Sequence, residues 1–154
     1  MIKISVITVV KNRVSTIDQA IMSVLGQNYK NYELIVIDGN STDGTIKRLQ
    51  NYKKAIKVLI KENDKGIYYA MNKGLKYVSG DVVCFLNSDD FYGSNNVFSD
   101  VANMFEEKKC DIVYGDIVYV TKHKPHKVIR YWTNLLVSKK SFFIGHHPPH
   151  PAFF

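Results

Sequence analysis

Short apolar runs and amphipathic segments alternate along the first 90 residues of the chain. Each apolar run ends in polar residues, as strands of a parallel sheet do when both of its faces are buried. The segments between the runs carry apolar residues at helical spacing. This repetition of β-α units predicts an α/β domain with a parallel sheet and right-handed crossovers. The predicted strands are residues 3–10, 32–38, 57–60 and 82–86, and the helices between them begin near Ile17, Ile46 and Ile67.

The pattern changes after residue 95. Apolar positions at helical spacing between Val97 and Phe105 predict one more helix, and short apolar runs follow it. These closely spaced runs favour a mixed or antiparallel C-terminal part over further β-α units. The strands predicted there are residues 111–114 and 117–120, on either side of Gly115 and Asp116, and residues 127–131.

Length and composition fit a single domain with its own core. The chain has 154 residues, 45% of them apolar, and no apolar run approaches the ~18 residues that a membrane span needs. The N-terminus reads as a first strand and lacks the features of a signal peptide, so we expect a cytoplasmic protein. Cys84 and Cys110 lie in or beside apolar segments without metal-ligand spacing. We expect both thiols to be reduced.

The net charge leaves several anionic partners open. The formal charge is +7 and the pI is near 9.3, and a positive field favours an anionic ligand, an anionic membrane surface or a nucleic acid. The lysines are spread along the chain, and no recognition-helix or RNA-binding motif is present. We therefore expect no nucleic-acid partner.

Two adjacent carboxylates follow one of the predicted buried strands. Residues 82–86 are apolar, and Asn87, Ser88, Asp89 and Asp90 come directly after them. Adjacent carboxylates repel each other unless a cation or buried hydrogen bonds compensate. Hard oxygen ligands suit Mg²⁺ or Mn²⁺ bridging a diphosphate, so we predict a metal and nucleotide site here. The alternative explanation is an ordinary turn followed by a helix cap.

Polar residues follow the other predicted strands as well. The carboxyl ends of parallel strands line one crevice of an open α/β sheet, so these polar tips are expected to meet in space. The sequence contains no dinucleotide-binding Gly-x-Gly-x-x-Gly, no P-loop and no Gly-x-Ser-x-Gly elbow. The crevice is therefore predicted to be a ligand site of another type. The four tips are residues 8–12, 38–41, 63–66 and 87–90.

Six segments of the chain resemble, in order, the successive signatures of family 2 glycosyltransferases, and the chain is most similar to bacterial enzymes of surface-polysaccharide assembly. The segments are residues 5–12, 38–45, 62–68, 70–74, 86–90 and 148–151. The resemblance implies a GT-A nucleotide-diphospho-sugar transferase fold. This is a Rossmann-like three-layer α/β/α sandwich with a mainly parallel sheet and a small mixed or antiparallel C-terminal part. Residues 1–154 would be a single GT-A domain, with 1–95 as the nucleotide-sugar-binding half and 96–154 as the start of an incomplete acceptor half.

The resemblance also implies roles for individual residues. Thr8 and Asp38 would line the nucleoside pocket, with Asp64 at the base and Asp89 near the ribose. Asp90, together with Asp89, would hold the Mn²⁺ or Mg²⁺ ion that bridges the diphosphate and offsets the charge of the leaving group. The other donor-binding positions carried over from the family are Val10, Asn12, Gly39, Ser41, Gly66, Asn72 and Ser88.

A histidine-rich turn near the end of the chain offers one more ligand. The family has a similar histidine at the position of His150, and neutral imidazole binds divalent metals. His150 is therefore a further candidate metal ligand, whereas an exposed turn also explains His146 and His147. In two places the chain departs from the family pattern. Relatives often have two acids where this chain has Asp38 and then glycine, which weakens the inference of uracil, and an acid where it has Tyr69.

These inferences predict a metal-dependent glycosyltransferase that moves a sugar, with inversion, from a nucleotide-diphosphate donor, with a UDP-sugar preferred. The acceptor would be a saccharide or a lipid-linked saccharide, and the protein would contact the inner face of the membrane peripherally. The catalytic residue is unassigned, because the general base is expected beyond Phe154. An apolar edge left exposed there would favour a homodimer.

Two other functions would use a similar crevice. A non-catalytic nucleotide-sugar-binding module would keep the crevice and lack the general base. A nucleotidyltransferase would also hold a nucleotide on two carboxylates, but it would carry a glycine-rich basic loop after the first strand. Residues 8–13 contain no glycine, which disfavours the nucleotidyltransferase.

Overall fold

A computed structural model of the chain describes residues 1–121, 124–133, 139–145 and 147–154. These residues form a parallel sheet with helices on both faces and a second, two-stranded antiparallel sheet. The parallel sheet contains β1 (Ile4–Val10), β2 (Tyr32–Asp38), β3 (Val58–Lys61) and β4 (Val82–Phe85). The helices are α1 (Ile17–Leu25), α2 (Thr45–Gln50), α3 (Ile67–Leu75), α4 (Val97–Lys108) and α5 (Lys139–Phe143). The second sheet pairs β5 (Ile117–Thr121) with β6 (Lys124–Trp132), and a 3-10 turn covers His150–Ala152.

The first half of the chain has the predicted β-α organisation. The strand order is β3-β2-β1-β4, and all neighbouring strands are parallel. β1 is central, with Ile4 opposite Tyr32 on one side and opposite Val82 on the other. Every predicted strand of this half lies within one residue of its observed bounds. All four strands therefore point their carboxyl ends to the same edge of the sheet.

Alternating side chains of the strands build a core on each face of the sheet. Val6, Leu34 and Val36 pack on the face that α1, α2 and α4 cover. Ile7, Ile35 and Ile37 pack on the opposite face against α3. The sandwich therefore has the three layers that were predicted.

Helix α3 lies very close to the central strand. A β carbon built on Gly74 would lie 2.6 Å from Cγ2 of Ile7. A side chain at residue 74 would therefore push α3 away from the sheet, since buried neighbours have no room to move. This close approach brings the N-terminal end of α3 beside the carboxyl edge of the strands.

One predicted strand of the second half was wrong. Residues 111–114 do not form a hairpin with residues 117–120; instead, the backbone around Tyr114 pairs with the last residues of the chain. The N–H of Val113 donates to the carbonyl oxygen of Phe154 at 3.1 Å, and the N–H of Phe154 donates back at 2.8 Å. Phe154 is buried and its ring stacks on Tyr92, which draws this segment onto the core. Because the backbone partner lies about 40 residues away in the sequence, no local pattern of residues predicts this pairing.

The remaining features of the second half agree with the prediction. β5 and β6 form a small antiparallel sheet, with Ile117 opposite Trp132. Cys84 and Cys110 are free thiols in the described chain, and burial raises the pKa of Cys84 to about 12. No helix within the described ranges is long and apolar enough to cross a membrane.

A buried acid fixes the amino-terminal edge of the parallel sheet. Glu33 is only 5% exposed and accepts hydrogen bonds from the hydroxyls of Ser5 at 2.7 Å and Ser79 at 2.6 Å. The ammonium groups of Lys3 and Lys57 lie 2.7 Å and 2.6 Å from its Oε2. Burial alone would raise the pKa of Glu33, but these hydrogen bonds outweigh it and hold the pKa far below the ordinary 4.5.

We predict that Glu33→Gln lowers the free energy of unfolding at pH 7 by about 2–3 kcal/mol, because it leaves two lysines and two hydroxyls without their anion. A folded-state pKa below the unfolded value stabilises the protein above pH 4.5, and this contribution is lost as the pH falls. The difference between wild type and variant should therefore shrink towards pH 3 in urea titrations, whereas Glu107→Gln, at an exposed position of α4, should show no difference at either pH. An equal difference at both pH values for Glu33→Gln would contradict the ionised network.

Candidate functional site

The carboxyl edge of the parallel sheet holds a pocket of about 400 Å³. The loops after all four strands reach it, because the strands are parallel and end at the same edge. The N-terminal end of α3 and the turn at His150 form the rest of its wall. The lining residues are Val9, Val10, Lys11, Arg13, Gly39, Asp64, Gly66, Ile67, Ala70, Asn87, Ser88, Asp89 and His150.

The predicted site residues divide into two groups. Seven of the thirteen line the pocket: Val10, Gly39, Asp64, Gly66, Ser88, Asp89 and His150. The other six are not among the lining residues: Thr8, Asn12, Asp38, Ser41, Asn72 and Asp90. Asn72 is exposed on α3 away from the lining, and its role in donor binding stays a prediction.

Asn12 and Ser41 connect the loops after β1 and β2. The N–H of Asn12 donates to the hydroxyl of Ser41 at 2.9 Å, and the Asn12 side-chain oxygen accepts from the N–H of Thr42 at 2.9 Å. Asn12 has a φ of 54°, a left-handed conformation that asparagine tolerates better than most residues. These contacts hold the two loops together and so shape the floor of the pocket.

A second pair of side chains strengthens the same junction. The carboxylate of Asp43 accepts from the N–H of Val14 at 3.0 Å and from the hydroxyl of Thr45 at 2.6 Å. That hydroxyl in turn accepts from the N–H of Arg13 at 2.8 Å. The hydrogen bonds from Thr45 and Val14 lower the pKa of Asp43. The loop carrying Arg13 is therefore held in place beside the pocket.

Two fully buried polar residues lie near the carboxyl ends of the neighbouring strands β1 and β2. Thr8 and Asp38 are both 0% exposed. One oxygen of Asp38 accepts from the N–H of Ser41 at 2.8 Å. The other oxygen of Asp38 and the hydroxyl of Thr8 have no hydrogen-bond partner among the described residues. Buried polar groups are rarely left unpaired without a reason.

In Asp64, as in Asp38, one carboxylate oxygen is paired and the other is not. Its Oδ1 lies 2.6 Å from the ammonium group of Lys73, which also lies 3.1 Å from Glu62. Its Oδ2 is buried and has no partner in the part of the chain that the structure describes. A β carbon built on Gly39 would lie 3.6 Å from this oxygen. The absence of a side chain at residue 39 therefore keeps the pocket open beside it.

The adjacent acids after β4 have different surroundings. Asp89 is exposed and lies 3.7 Å from Nε of Arg13. Asp90 is half-buried, and its Oδ2 accepts from the side-chain amide of Asn87 at 3.0 Å. Burial raises the pKa of Asp90, the Asn87 hydrogen bond lowers it, and the nearby Asp89 and His150 act in opposite directions. The net effect is a raised pKa, so the charged form of Asp90 would be stabilised by a cation.

The turn at His150 reaches the pocket from the far end of the chain. Its position follows from the backbone pairing of residues 113–115 with residues 152–154. His150 lines the pocket and lies near enough to lower the pKa of Asp90. His147 contacts the carbonyl oxygen of Pro148 at 3.0 Å, and His146 lies outside the described residues.

Asp89, Asp90 and His150 are the possible metal ligands at this edge. Within the described ranges, no three His, Cys, Asp or Glu side chains are gathered as a ready-made metal site. Mg²⁺ is commonly bound by one or two carboxylates, with substrate phosphates and water as the remaining ligands. The half-buried Asp90 with its raised pKa fits a ligand of that kind.

Sequence reasoning missed several lining residues. Lys11 lies within the predicted tip at residues 8–12, and Arg13 comes directly after it, so the rule that strand ends line the crevice extends to both. Lys73 is not a lining residue but contacts one: it lies in segment 70–74, and its contact with Asp64 spans nine residues between a loop and a helix. Only the three-dimensional approach of α3 to the sheet brings these two side chains together.

A sequence profile described as Glycosyl transferase family 2 matches residues 5–153. The chain is 38% identical over 114 residues to UDP-Glc:alpha-D-GlcNAc-diphosphoundecaprenol beta-1,3-glucosyltransferase WfgD of Escherichia coli, covering 73% of this chain and 45% of that protein. It is 37% identical over 106 residues to the putative teichuronic acid biosynthesis glycosyltransferase TuaG of Bacillus subtilis, covering 67% and 42%. The chain therefore spans less than half the length of both curated relatives.

Two solved structures show the same fold. S. aureus TarS 1-349 in complex with UDP-GlcNAc has a TM-score of 0.66 and 27% identity, covering 71% of this chain and 33% of that one. Mannosyltransferase PcManGT from Pyrobaculum calidifontis, in complex with GDP-Man and Mn²⁺, has a TM-score of 0.67 and 19% identity, covering 74% and 35%. At 19% identity, the similarity to PcManGT shows a shared fold alone. The GT-A fold expected from the sequence is confirmed.

The two buried threonines of the site provide a matched pair of variants. We predict that Thr8→Val raises the free energy of unfolding by about 1 kcal/mol, because a methyl group replaces a buried hydroxyl that has no partner in the described chain. Thr45→Val should lower it by about 1–2 kcal/mol, because its equally buried hydroxyl makes two hydrogen bonds. Urea titrations without nucleotide would measure both. A loss of stability in Thr8→Val as large as that in Thr45→Val would show that the Thr8 hydroxyl is paired.

Proposed function

Because the chain belongs to glycosyltransferase family 2, we propose that it binds the nucleotide-sugar donor of a glycosyltransferase in bacterial surface-polysaccharide biosynthesis. The observation that carries this proposal is Oδ2 of Asp64, a buried oxygen of a pocket-lining carboxylate that lacks a partner among the described residues. A ligand with an N–H donor would pair with it. The pocket volume of about 400 Å³ also lies in the range of small-molecule sites.

The carboxylate of Asp64, which lines the pocket, is proposed to face the base, with the fully buried Asp38 as a further residue of the nucleoside pocket. A carboxylate is an acceptor only, so it pairs with a ring N–H such as N3–H of uracil. The names of two relatives support the choice of uracil: TarS was solved with UDP-GlcNAc, and the E. coli relative is named for UDP-Glc. The donor proposed for this chain is therefore a UDP-sugar.

The diphosphate is proposed to lie between the loops after β1 and β4. Lys11 and Arg13 line the pocket on one side, and Asp89 lines it on the other. The two cationic side chains would attract the anionic diphosphate. Asp90, with Asp89 and His150 as further ligands, would hold Mn²⁺ or Mg²⁺ there. When bound, the ion would offset the negative charge of the leaving nucleoside diphosphate.

The transfer itself is proposed to be inverting. A carboxylate would deprotonate the acceptor hydroxyl as it attacks the anomeric carbon, while the diphosphate leaves from the opposite face of the sugar. The role of residues 1–95 would be to hold the donor in the orientation that this attack needs. The general base itself is left unassigned.

The acceptor is proposed to be a saccharide or a lipid-linked saccharide at the cytoplasmic face of the membrane. The support is the diphosphoundecaprenol acceptor in the name of the E. coli relative and the formal charge of +7. A positive surface is attracted to anionic headgroups and would assist peripheral contact.

We predict that Asp90→Asn removes metal-dependent nucleotide binding and leaves the fold intact. Calorimetric titration of this chain with UDP and with GDP, each with Mn²⁺ and with chelator, would measure the effect. Wild type should bind UDP in Mn²⁺ at least about tenfold more tightly than in chelator, since losing a charged contact costs about 1.5–3 kcal/mol. The variant should bind UDP equally weakly under both conditions.

Asp100→Asn is the matched control, because Asp100 is an exposed acid of α4 outside the pocket. It should retain the metal dependence of wild type. Unchanged binding in a folded Asp90→Asn variant would contradict the metal site, and tighter binding of GDP would overturn the choice of donor. A folded wild-type chain that binds neither nucleotide would overturn the proposed function.

A further inference from the structure

Lys73 lies on α3, three residues after Ala70 of the pocket wall, and the proposed function gives it no role. Its side chain is only 18% exposed, although lysine normally extends into water. The ammonium group lies 2.6 Å from Oδ1 of Asp64 and 3.1 Å from Glu62. The hydrogen bond to Asp64 is the main cause of a raised pKa of Lys73. The lysine is therefore charged when it holds this position.

The contact with Lys73 makes the two oxygens of Asp64 different. The Asp64 side chain is 8% exposed, and Oδ1 is occupied by the ammonium group. Oδ2 is buried near Gly39 in the pocket wall and has no partner in the ranges that the structure describes. Without Lys73, the carboxylate could turn, and neither oxygen would be held at the pocket wall.

We propose that Lys73 is a positioning residue that sets the base selectivity of the donor site. By holding Oδ1 of Asp64, it leaves Oδ2 as an acceptor-only group at the pocket wall. Such a group accepts a base whose ring nitrogen carries a hydrogen, as in uracil, and rejects one whose ring nitrogen has a lone pair, as in cytosine. This inference rests on the proposed function, since it concerns the same pocket.

The selectivity follows from the donor and acceptor pattern of the two bases. N3 of uracil carries a hydrogen that can be donated to a carboxylate, whereas N3 of cytosine is an acceptor. Two acceptors facing each other lose a hydrogen bond and repel. A carboxylate that has turned away from the pocket wall can neither accept from uracil nor repel cytosine. Discrimination therefore depends on keeping the Asp64 carboxylate oriented towards the pocket.

A purely structural role would give a different result. Lys73 also connects the loop at Glu62 to α3, so its loss could loosen the pocket as a whole. In that case UDP and CDP would lose affinity by the same factor. A change in the ratio of the two affinities is therefore the measurement that separates positioning of Asp64 from general support of the loop.

The experiment titrates UDP and CDP, both with Mn²⁺, into wild type and three lysine variants. Lys73→Met removes the ammonium group, and Lys73→Arg keeps a cation within reach of Oδ1. Lys76→Met is the matched control, since Lys76 is an exposed lysine at the end of the same helix and does not line the pocket. Circular dichroism and thermal unfolding would confirm that each variant is folded.

We expect wild type and Lys76→Met to prefer UDP over CDP equally. In Lys73→Met this preference should fall by about tenfold or more, the effect expected for one hydrogen bond to a charged group. Lys73→Arg should recover most of it. An unchanged ratio in a folded Lys73→Met variant would overturn the inference, and so would a preference that Lys73→Arg fails to restore.

A double variant keeps the test decisive if Lys73→Met does not fold. Lys73→Met with Asp64→Asn removes the buried charge together with its partner, which is tolerated better than leaving the charge alone. The amide presents both donor and acceptor atoms, so the preference for UDP should again be reduced. A folded double variant that keeps the wild-type ratio would overturn the inference. Wild type that binds neither nucleotide would instead overturn the proposed function itself.

Discussion

The parallel pairing of β1 with both β2 and β4 determines where the functional side chains lie. Val10 is in register with Asp38, so β1 and β2 end at the same level, and β4 ends at Phe85, opposite Ile7, on the same edge of the sheet. The loops that follow them therefore open onto one pocket. A shift of β2 by one residue would turn Asp38 to the other face of the sheet, because strand side chains alternate. Every assignment made for the pocket depends on this register.

Buried acids are fully hydrogen-bonded at one edge of the parallel sheet and only partly hydrogen-bonded at the other. At the amino-terminal edge, lysines and serines surround Glu33, and both of its oxygens accept hydrogen bonds. At the carboxyl edge, Asp38 and Asp64 each keep one buried oxygen without a partner in the described parts of the chain. A fully paired acid stabilises the fold, whereas an acid with a free oxygen has capacity for a ligand. Burial alone would not have separated the structural acid from the candidate ligand-binding ones.

The sequence predicted the first half of the fold because its information there is local. Each strand is a short apolar run and each helix has its own periodicity, so the bounds of β1 and β2 could be read within one residue. The same local reasoning, together with the family resemblance, placed Asp64 and Asp89 at the pocket. It failed at residues 111–114, whose backbone partner is Phe154. It also missed Lys73, because no pattern along the chain shows which oxygen of Asp64 it contacts.

His150 reaches the pocket through contacts between residues that are distant in the sequence, whereas the other walls follow from neighbouring strands and loops. Phe154 stacks on Tyr92, which follows the acids after β4, and its backbone pairs with Val113. Together these contacts place His150 close enough to affect the charge of Asp90. The carboxyl group of Asp90 is thus balanced between burial and Asp89, which favour its neutral form, and Asn87 and His150, which favour its charged form. A divalent cation would favour the charged form of Asp90 more strongly than Asn87 and His150 do. Ion binding and the ionisation of Asp90 would therefore be coupled.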